Sequence, residues 1–228
     1  MHIEILTEDS SGQRLLEHLM PKLIGPPGEP HSWRFHSYRG IGRIPPGLSA
    51  SSDPSWRILL DQLPRLLGGY VRTPGIDAVV VVLDADRRDC VAFLTDLRSL
   101  AAKCDASHLA LFRLAIEEME AWYLGDRGAL QRAYPKARMR ALDHYVQDSV
   151  CGTWELVAEA IHPGGCRAIR HAGWPLPGQI KHEWADRIGP LLDPETNLSP
   201  SFGKLRDGIR RLAGTPPPPS YPAPNRQG

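Results

Sequence analysis

The stretch Ile76-Asp77-Ala78-Val79-Val80-Val81-Val82-Leu83-Asp84-Ala85-Asp86 decides the fold. Four consecutive valines and a leucine leave no polar alternation, so a strand built from them presents apolar side chains to both faces of its sheet. A strand with one wet face would alternate. An unbroken apolar strand needs cover on both sides, which points to a parallel sheet between layers of helix. Pro74-Gly75 punctuates its start, and acids close it.

Upstream, the first eight residues place Ile3 and Ile5 on one face and His2 and Glu4 on the other, the period of a strand. Asp9, Ser10 and Ser11 are helix N-cap residues, and Leu15, Leu16, Leu19 and Leu23 follow at helical spacing until Gly25-Pro26-Pro27-Gly28. A second strand is expected over 32–38, then a flexible stretch over 40–55, then a helix carrying Ile58, Leu59, Leu63, Leu66 and Leu67. Downstream of the valines come a helix over 91–102, a strand over 109–116 and a helix or turn over 117–124. Strands and helices thus alternate through four pairs, the pattern of an open α/β sheet.

Beyond Asp126 the strand signal fades. Short helices are expected over 127–134, 153–161, 180–191 and 202–212. The chain therefore divides into an α/β core (1–125), a helical C-terminal extension packed on it (126–214) and a disordered tail (215–228) rich in proline from Pro216 to Pro224.

With 228 residues, 42% apolar and 23% charged, the chain is able to bury a sizeable core. Lys and Arg number 27 against 26 Asp and Glu, a formal +1, so no bulk positive field draws the protein to nucleic acid or an anionic membrane. Contact with either must come from a local patch. The cations are 22 Arg and 5 Lys, and the Arg fork suits phosphate and carboxylate. No apolar run approaches the roughly 20 residues of a membrane span. Cys90, Cys104, Cys151 and Cys166 stand far apart without a C-x-x-C pair, as expected of reduced thiols in a cytoplasmic protein. Cys151, His162, Cys166 and His171 match no zinc-ligand spacing.

In parallel α/β sheets, functional groups gather where the strands end. Here the first strand runs into Glu8-Asp9 and the central one into Asp84-Ala85-Asp86, with Asp89 further on. If these strands are neighbours, Glu8, Asp84 and Asp86 converge, and such carboxylates raise one another's pKa unless a divalent cation or an Arg offsets them. One or two acids with open water positions describe a Mg²⁺ site. The plainer alternative is that Asp84, Asp86 and Asp89 cap the following helix. A third acidic group, Glu117-Glu118-Met119-Glu120, is either a solvated helix start or supplies Glu117 or Glu120 to the ion's shell, with Glu117 preferred. Arg87-Arg88 either pair with the acids or hold a phosphate, and Arg39 and Arg43 flank glycines nearby. Trp122 and Trp154 are expected in the core, and the segment 199–202 is expected to pack the last helix.

These residues carry a resemblance. Ile5-Leu6-Thr7-Glu8, Val82-Leu83-Asp84-Ala85-Asp86 with Asp89-Cys90, and Ala115-Ile116-Glu117-Glu118-Met119-Glu120-Ala121-Trp122-Tyr123 resemble a TOPRIM-type domain. With Gly152-Thr153-Trp154-Glu155 and Asn197-Leu198-Ser199-Pro200-Ser201-Phe202, the chain is more closely similar to a bacterial TOPRIM-like family known only as a domain of unknown function. That family is related to nucleases of the overcoming-lysogenization-defect type. The resemblance runs to about residue 212, and the E-E-M-E-A-W block is its most specific part.

The resemblance implies Mg²⁺- or Mn²⁺-dependent phosphoryl transfer with Glu8, Asp84 and Asp86 as ligands, and Lys181 aligns with a basic position of the family. It further implies a nucleic-acid substrate, DNA or RNA, and an ABC- or AAA-type ATPase partner in bacterial anti-phage defence. Departures favour an alternative, a non-catalytic subunit that docks on and regulates the ATPase: Asp9 stands where many TOPRIM sequences have Gly, and Arg88 where some carry a third acid. A haloacid-dehalogenase-like phosphatase normally has Thr or Val at the place of Arg88, and a receiver domain has no use for Asp86. No G-x-G-x-x-G or G-x-x-x-x-G-K motif supports a nucleotide cofactor.

Overall fold

A computed structural model describes residues 1–49, 53, 55, 57–173 and 175–214; the proline-rich tail over 215–228 lies outside the described residues. The elements run β1 (His2–Thr7), α1 (Ser10–Ile24), β2 (Ser32–Ser37), α2 (Leu59–Val71), β3 (Ala78–Asp84), α3 (Cys90–Lys103), β4 (Ala110–Ala115) and α4 (Glu120–Gly125). Five more helices follow: α5 (Arg127–Ala133), α6 (Thr153–Ile161), α7 (Gly165–Ala172), α8 (Leu176–Ile188) and α9 (Pro200–Leu212). The architecture is an α/β fold around a four-stranded, all-parallel open sheet in the order β2-β1-β3-β4.

Every residue of β3 is buried, as its valine run requires of a strand covered on both faces. Val80 and Val82, with Ile3 and Ile5 of β1, face a layer made by α1 and the C-terminal helices. Val79, Val81 and Leu83, with Leu6, face Leu59, Leu63 and Leu67 of α2 and Phe93 and Leu97 of α3. On this second face Glu4 is 6% exposed. Burial of that carboxylate is tolerated because the His36 Nε2 lies 2.5 Å from one oxygen and the His2 Nε2 3.3 Å from the other.

The C-terminal helices share the core of the sheet. Trp122, Val157, Trp184 and Phe202 are buried in one continuous cluster with Ile3 and Ile5. Lys22 fixes this layer to α1 by donating to the carbonyls of Gly189, Pro190 and Leu192 at 3.0, 2.6 and 2.8 Å. The expected packing role of 199–202 is met: the Ser199 hydroxyl accepts the Phe202 N–H as N-cap of α9, and Ser201 accepts the Trp122 indole N–H at 2.9 Å. Helix α7 is an element that the sequence pattern did not indicate.

This topology positions the site. From β1 the chain passes to β2 on one side and then to β3 on the other, so the strand order reverses between β1 and β3. A crevice opens beyond the carboxyl ends of strands at such a point.

Candidate active site

Glu8 follows β1, and Asp84 is the last residue of β3. Because these strands pair in parallel, with Thr7 opposite Val82, their ends lie side by side. The Asp84 N–H donates to Glu8 Oε2 at 3.2 Å. Asp84 is 7% exposed, and its Oδ1 is buried without a hydrogen-bond partner among the described residues. An orphaned carboxylate oxygen is a rarity, since buried acceptors are almost always satisfied.

Around the pair lies a cavity of ≈ 10 Å³ bounded by Glu8, Asp9, Asp84, Glu120, Tyr123 and Lys181, among others. That is room for about one water or one ion. Gly12 gives the first turn of α1 its close approach here, because a Cβ at this position would stand 2.8 Å from Met119 Cε. Asp9 contributes as N-cap of α1, accepting the Gly12 N–H at 2.7 Å.

Lys181, from α8, closes the crevice. Its Nζ lies 3.3 Å from Glu120 Oε1 and 3.5 Å from Glu118 Oε2. Five carboxylates (Glu8, Asp9, Asp84, Glu118 and Glu120) are thus gathered around this one ammonium.

The electrostatics follow from that imbalance. Burial pushes Glu8 up to about 7, opposed by the Asp84 N–H and reinforced by Asp9 and Asp86. Asp84 is raised well above the ordinary carboxylate range, by burial first and by Glu8 second. Burial also pushes Glu118 up to about 7, against the attraction of Lys181. For Lys181, burial works against the charged form, but Glu120, Glu118 and Asp84 outweigh it and the pKa is raised.

Two residues expected at the site lie elsewhere. Asp86 has a left-handed backbone (φ 49°), and its side chain is 53% exposed and salt-bridged to Arg88 at 2.6 Å. Of the two readings of Arg87-Arg88, Arg88 therefore pairs with an acid. Glu117 also has a left-handed backbone, at φ 61°. Its carboxylate accepts the N–H groups of Cys151, Gly152 and Thr153 at 3.1, 2.9 and 2.8 Å, capping α6. With these lone pairs engaged by backbone, Glu117 is not the residue that completes the cavity; Glu120 lines it and Glu118 reaches it through Lys181. Of the acids that might have served as caps, Asp89 does so, accepting the Ala92 N–H at 2.8 Å. Trp154, expected in the core, is half-buried and lines a neighbouring groove.

Among the described residues no group of three or more His, Cys, Asp or Glu is arranged to hold a metal ion as the side chains stand. Mg²⁺ does not need such a group, since it commonly binds through one or two carboxylates and keeps several waters. Glu8 and Asp84 fit that requirement, with the unpartnered Asp84 oxygen beside a cavity of atomic size. Sequence reading missed Asp148, which accepts from the Ser199 and Ser201 hydroxyls and from the Ser201 N–H and so fixes the start of α9. Its position in a loop without periodicity carried no signal. No helix among the described residues is long and apolar enough to cross a membrane. Comparison of the chain with protein-family models, with curated proteins and with solved structures finds no match.

Proposed function

We propose that the chain is a TOPRIM-like, Mg²⁺- or Mn²⁺-dependent nuclease that hydrolyses phosphodiester bonds at the crevice between β1 and β3. The observation that carries this reading is the Asp84 oxygen, buried and unpartnered next to Glu8 in a cavity the size of one ion. A site with a surplus of carboxylates over ammonium is built to receive a cation. Glu8 and Asp84 would hold it. When bound, such an ion supplies Lewis-acid polarisation of the scissile phosphate.

The chain's own residues supply the rest. Glu118, with its pKa pushed up to about 7, is matched to taking or giving a proton near neutral pH. Lys181 supplies positive charge toward the phosphate oxygens as negative charge develops on them. In the cell, such a nuclease acts on DNA or RNA in the cytoplasm as the effector of an ATPase-coupled anti-phage defence system.

A second reading has its own observation. Lys181 already offsets Glu118 and Glu120, and Asp86 and Glu117 are engaged elsewhere. This favours a non-catalytic subunit that docks on and regulates an ABC- or AAA-type ATPase. A cleavage assay with plasmid, single-stranded DNA and tRNA in Mg²⁺ or in EDTA separates the two. The nuclease reading predicts metal-dependent cutting that disappears in Asp84→Asn; cutting that is undiminished in that variant contradicts it.

A further inference from the structure

Beside the acidic cavity lies a groove of ≈ 580 Å³, lined in part by Arg87, Glu118, Cys151, Gly152, Trp154 and Arg170. Its volume falls within the roughly 300–1,000 Å³ of small-ligand sites. The groove and the cavity meet at one contact: Glu118 lines the groove, and the Lys181 ammonium 3.5 Å from it lines the cavity.

Most charge in the groove is already matched. Glu117 is held by backbone N–H groups, Asp86 by Arg88 and Glu155 by Arg170. Arg87 is exposed and makes no ion pair or hydrogen bond among the described residues. Arg170 lies with its guanidinium carbon 5.3 Å from the centroid of the Trp154 ring, and its side chain is 60% exposed. That cation is thus solvent-exposed and lies over an aromatic ring. Unpaired nucleobases stack on guanidinium planes and aromatic rings of this kind, whatever their sequence.

We propose that this groove is a base-stacking subsite for single-stranded nucleic acid. One base lies on the outer face of Arg170 over Trp154, a flanking phosphate meets Arg87, and the strand is held beside Glu118 and Lys181. Bases in an intact duplex are already stacked and do not enter. The identity of the ligand rests on the phosphodiester reading of the acidic site, and the strand's path to that site runs past the Glu118–Lys181 contact.

The test is fluorescence anisotropy in EDTA, with a labelled single strand of about 12 nucleotides and an abasic strand of the same length. Wild type is expected to prefer the base-bearing strand. Arg170→Ala and Trp154→Ala should each weaken the base-bearing strand about tenfold more than the abasic strand. Removing Arg170 also frees Glu155, whose repulsion acts on both strands alike, so the difference between strands isolates stacking. Arg87→Ala should weaken both strands equally and lower the slope of log Kd against log salt by about one. Bound strand should also protect the exposed Cys151 from alkylation.

Equal binding of base-bearing and abasic strands by wild type overturns the proposal, as does an Arg170→Ala variant with undiminished preference. Arg170 is solvent-facing, so this variant keeps the fold even if Trp154→Ala does not. Base preference without metal-dependent cleavage overturns the nuclease reading and leaves the subsite standing. Cleavage without base preference overturns the subsite alone.

Discussion

Glu8 and Asp84, separated by 76 residues in sequence, are joined by one hydrogen bond: the Glu8 carboxylate accepts the Asp84 N–H at 3.2 Å. The bond ties the ends of two adjacent parallel strands and sets one carboxylate against the other. Lone acids at two strand ends would simply be solvated. Brought together beside Lys181 and Tyr123, they form a buried pair of carboxyl groups that burial and mutual repulsion push toward holding protons.

The first consequence is a stability that depends on pH. The Glu8 pKa is about 7 in the folded chain against an ordinary 4.5, so between these values the folded state holds a proton that the unfolded state has released. The stabilisation is complete below pH 4.5, falls as pH rises and is gone above about 7. Glu8→Gln keeps an acceptor for the Asp84 N–H and removes the charge. In EDTA it should be more stable than wild type at pH 8, by on the order of 1–3 kcal/mol. The gain should vanish by about pH 4, below the unfolded pKa. Thermal unfolding followed by circular dichroism at the two pH values checks both.

Lys181 should matter for folding as well as for chemistry. Lys181→Met leaves Glu118 and the buried Glu120 without their ammonium, and breaking a buried pair in this way costs about 3–5 kcal/mol. Burial already raises Glu118 to about 7 with Lys181 in place, and losing the ammonium raises it further, so a proton neutralises it at pH 5 and the loss should be larger at pH 8. Adding Glu118→Gln to Lys181→Met should restore part of the stability at pH 8. Urea unfolding of the single and double variants measures this.

Glu117 should behave as a cap and not as a ligand. Its carboxylate takes the N–H groups that open α6, so Glu117→Ala should cost about 1–2 kcal/mol. Mn²⁺ affinity should stay within twofold of wild type. A tenfold loss of affinity at unchanged stability would place Glu117 back among the ligands.

Asp148 should be a structural anchor. Asp148→Ala leaves the Ser201 N–H and one of the Ser199 and Ser201 hydroxyls, which lie 3.1 Å apart, without an acceptor, at about 1–3 kcal/mol for each donor left buried and unsatisfied. Unfolding in urea should show a loss of that size, with Mn²⁺ binding retained at temperatures where the variant is folded.

The sheet was legible because its decisive strand, 78–84, needs no context: a run of valines without alternation has few other places to go. Helix α1 was legible from its leucine spacing. The meeting of Glu8 and Asp84 depended on β1 and β3 being neighbours, a strand order that the sequence pattern leaves open and the sheet supplies. Side-chain direction was not legible. Asp86 is two residues from Asp84, but a left-handed backbone turns its side chain to solvent and Arg88. Glu117 shares the acidic block with Glu118 and Glu120, yet it is drawn off by amides of a helix 36 residues away. Helix α7 escaped because it is short, opens on Gly164 and Gly165, both with positive φ, and carries few apolar residues.

Titration calorimetry with Mn²⁺ decides whether Glu8 and Asp84 receive a divalent cation. Wild type should bind a single ion at pH 7.5, with Glu8→Gln and Asp84→Asn each weakened at least tenfold and Glu117→Gln unchanged. Absence of binding in wild type, or an Asp84→Asn variant that binds as wild type does, would contradict the account.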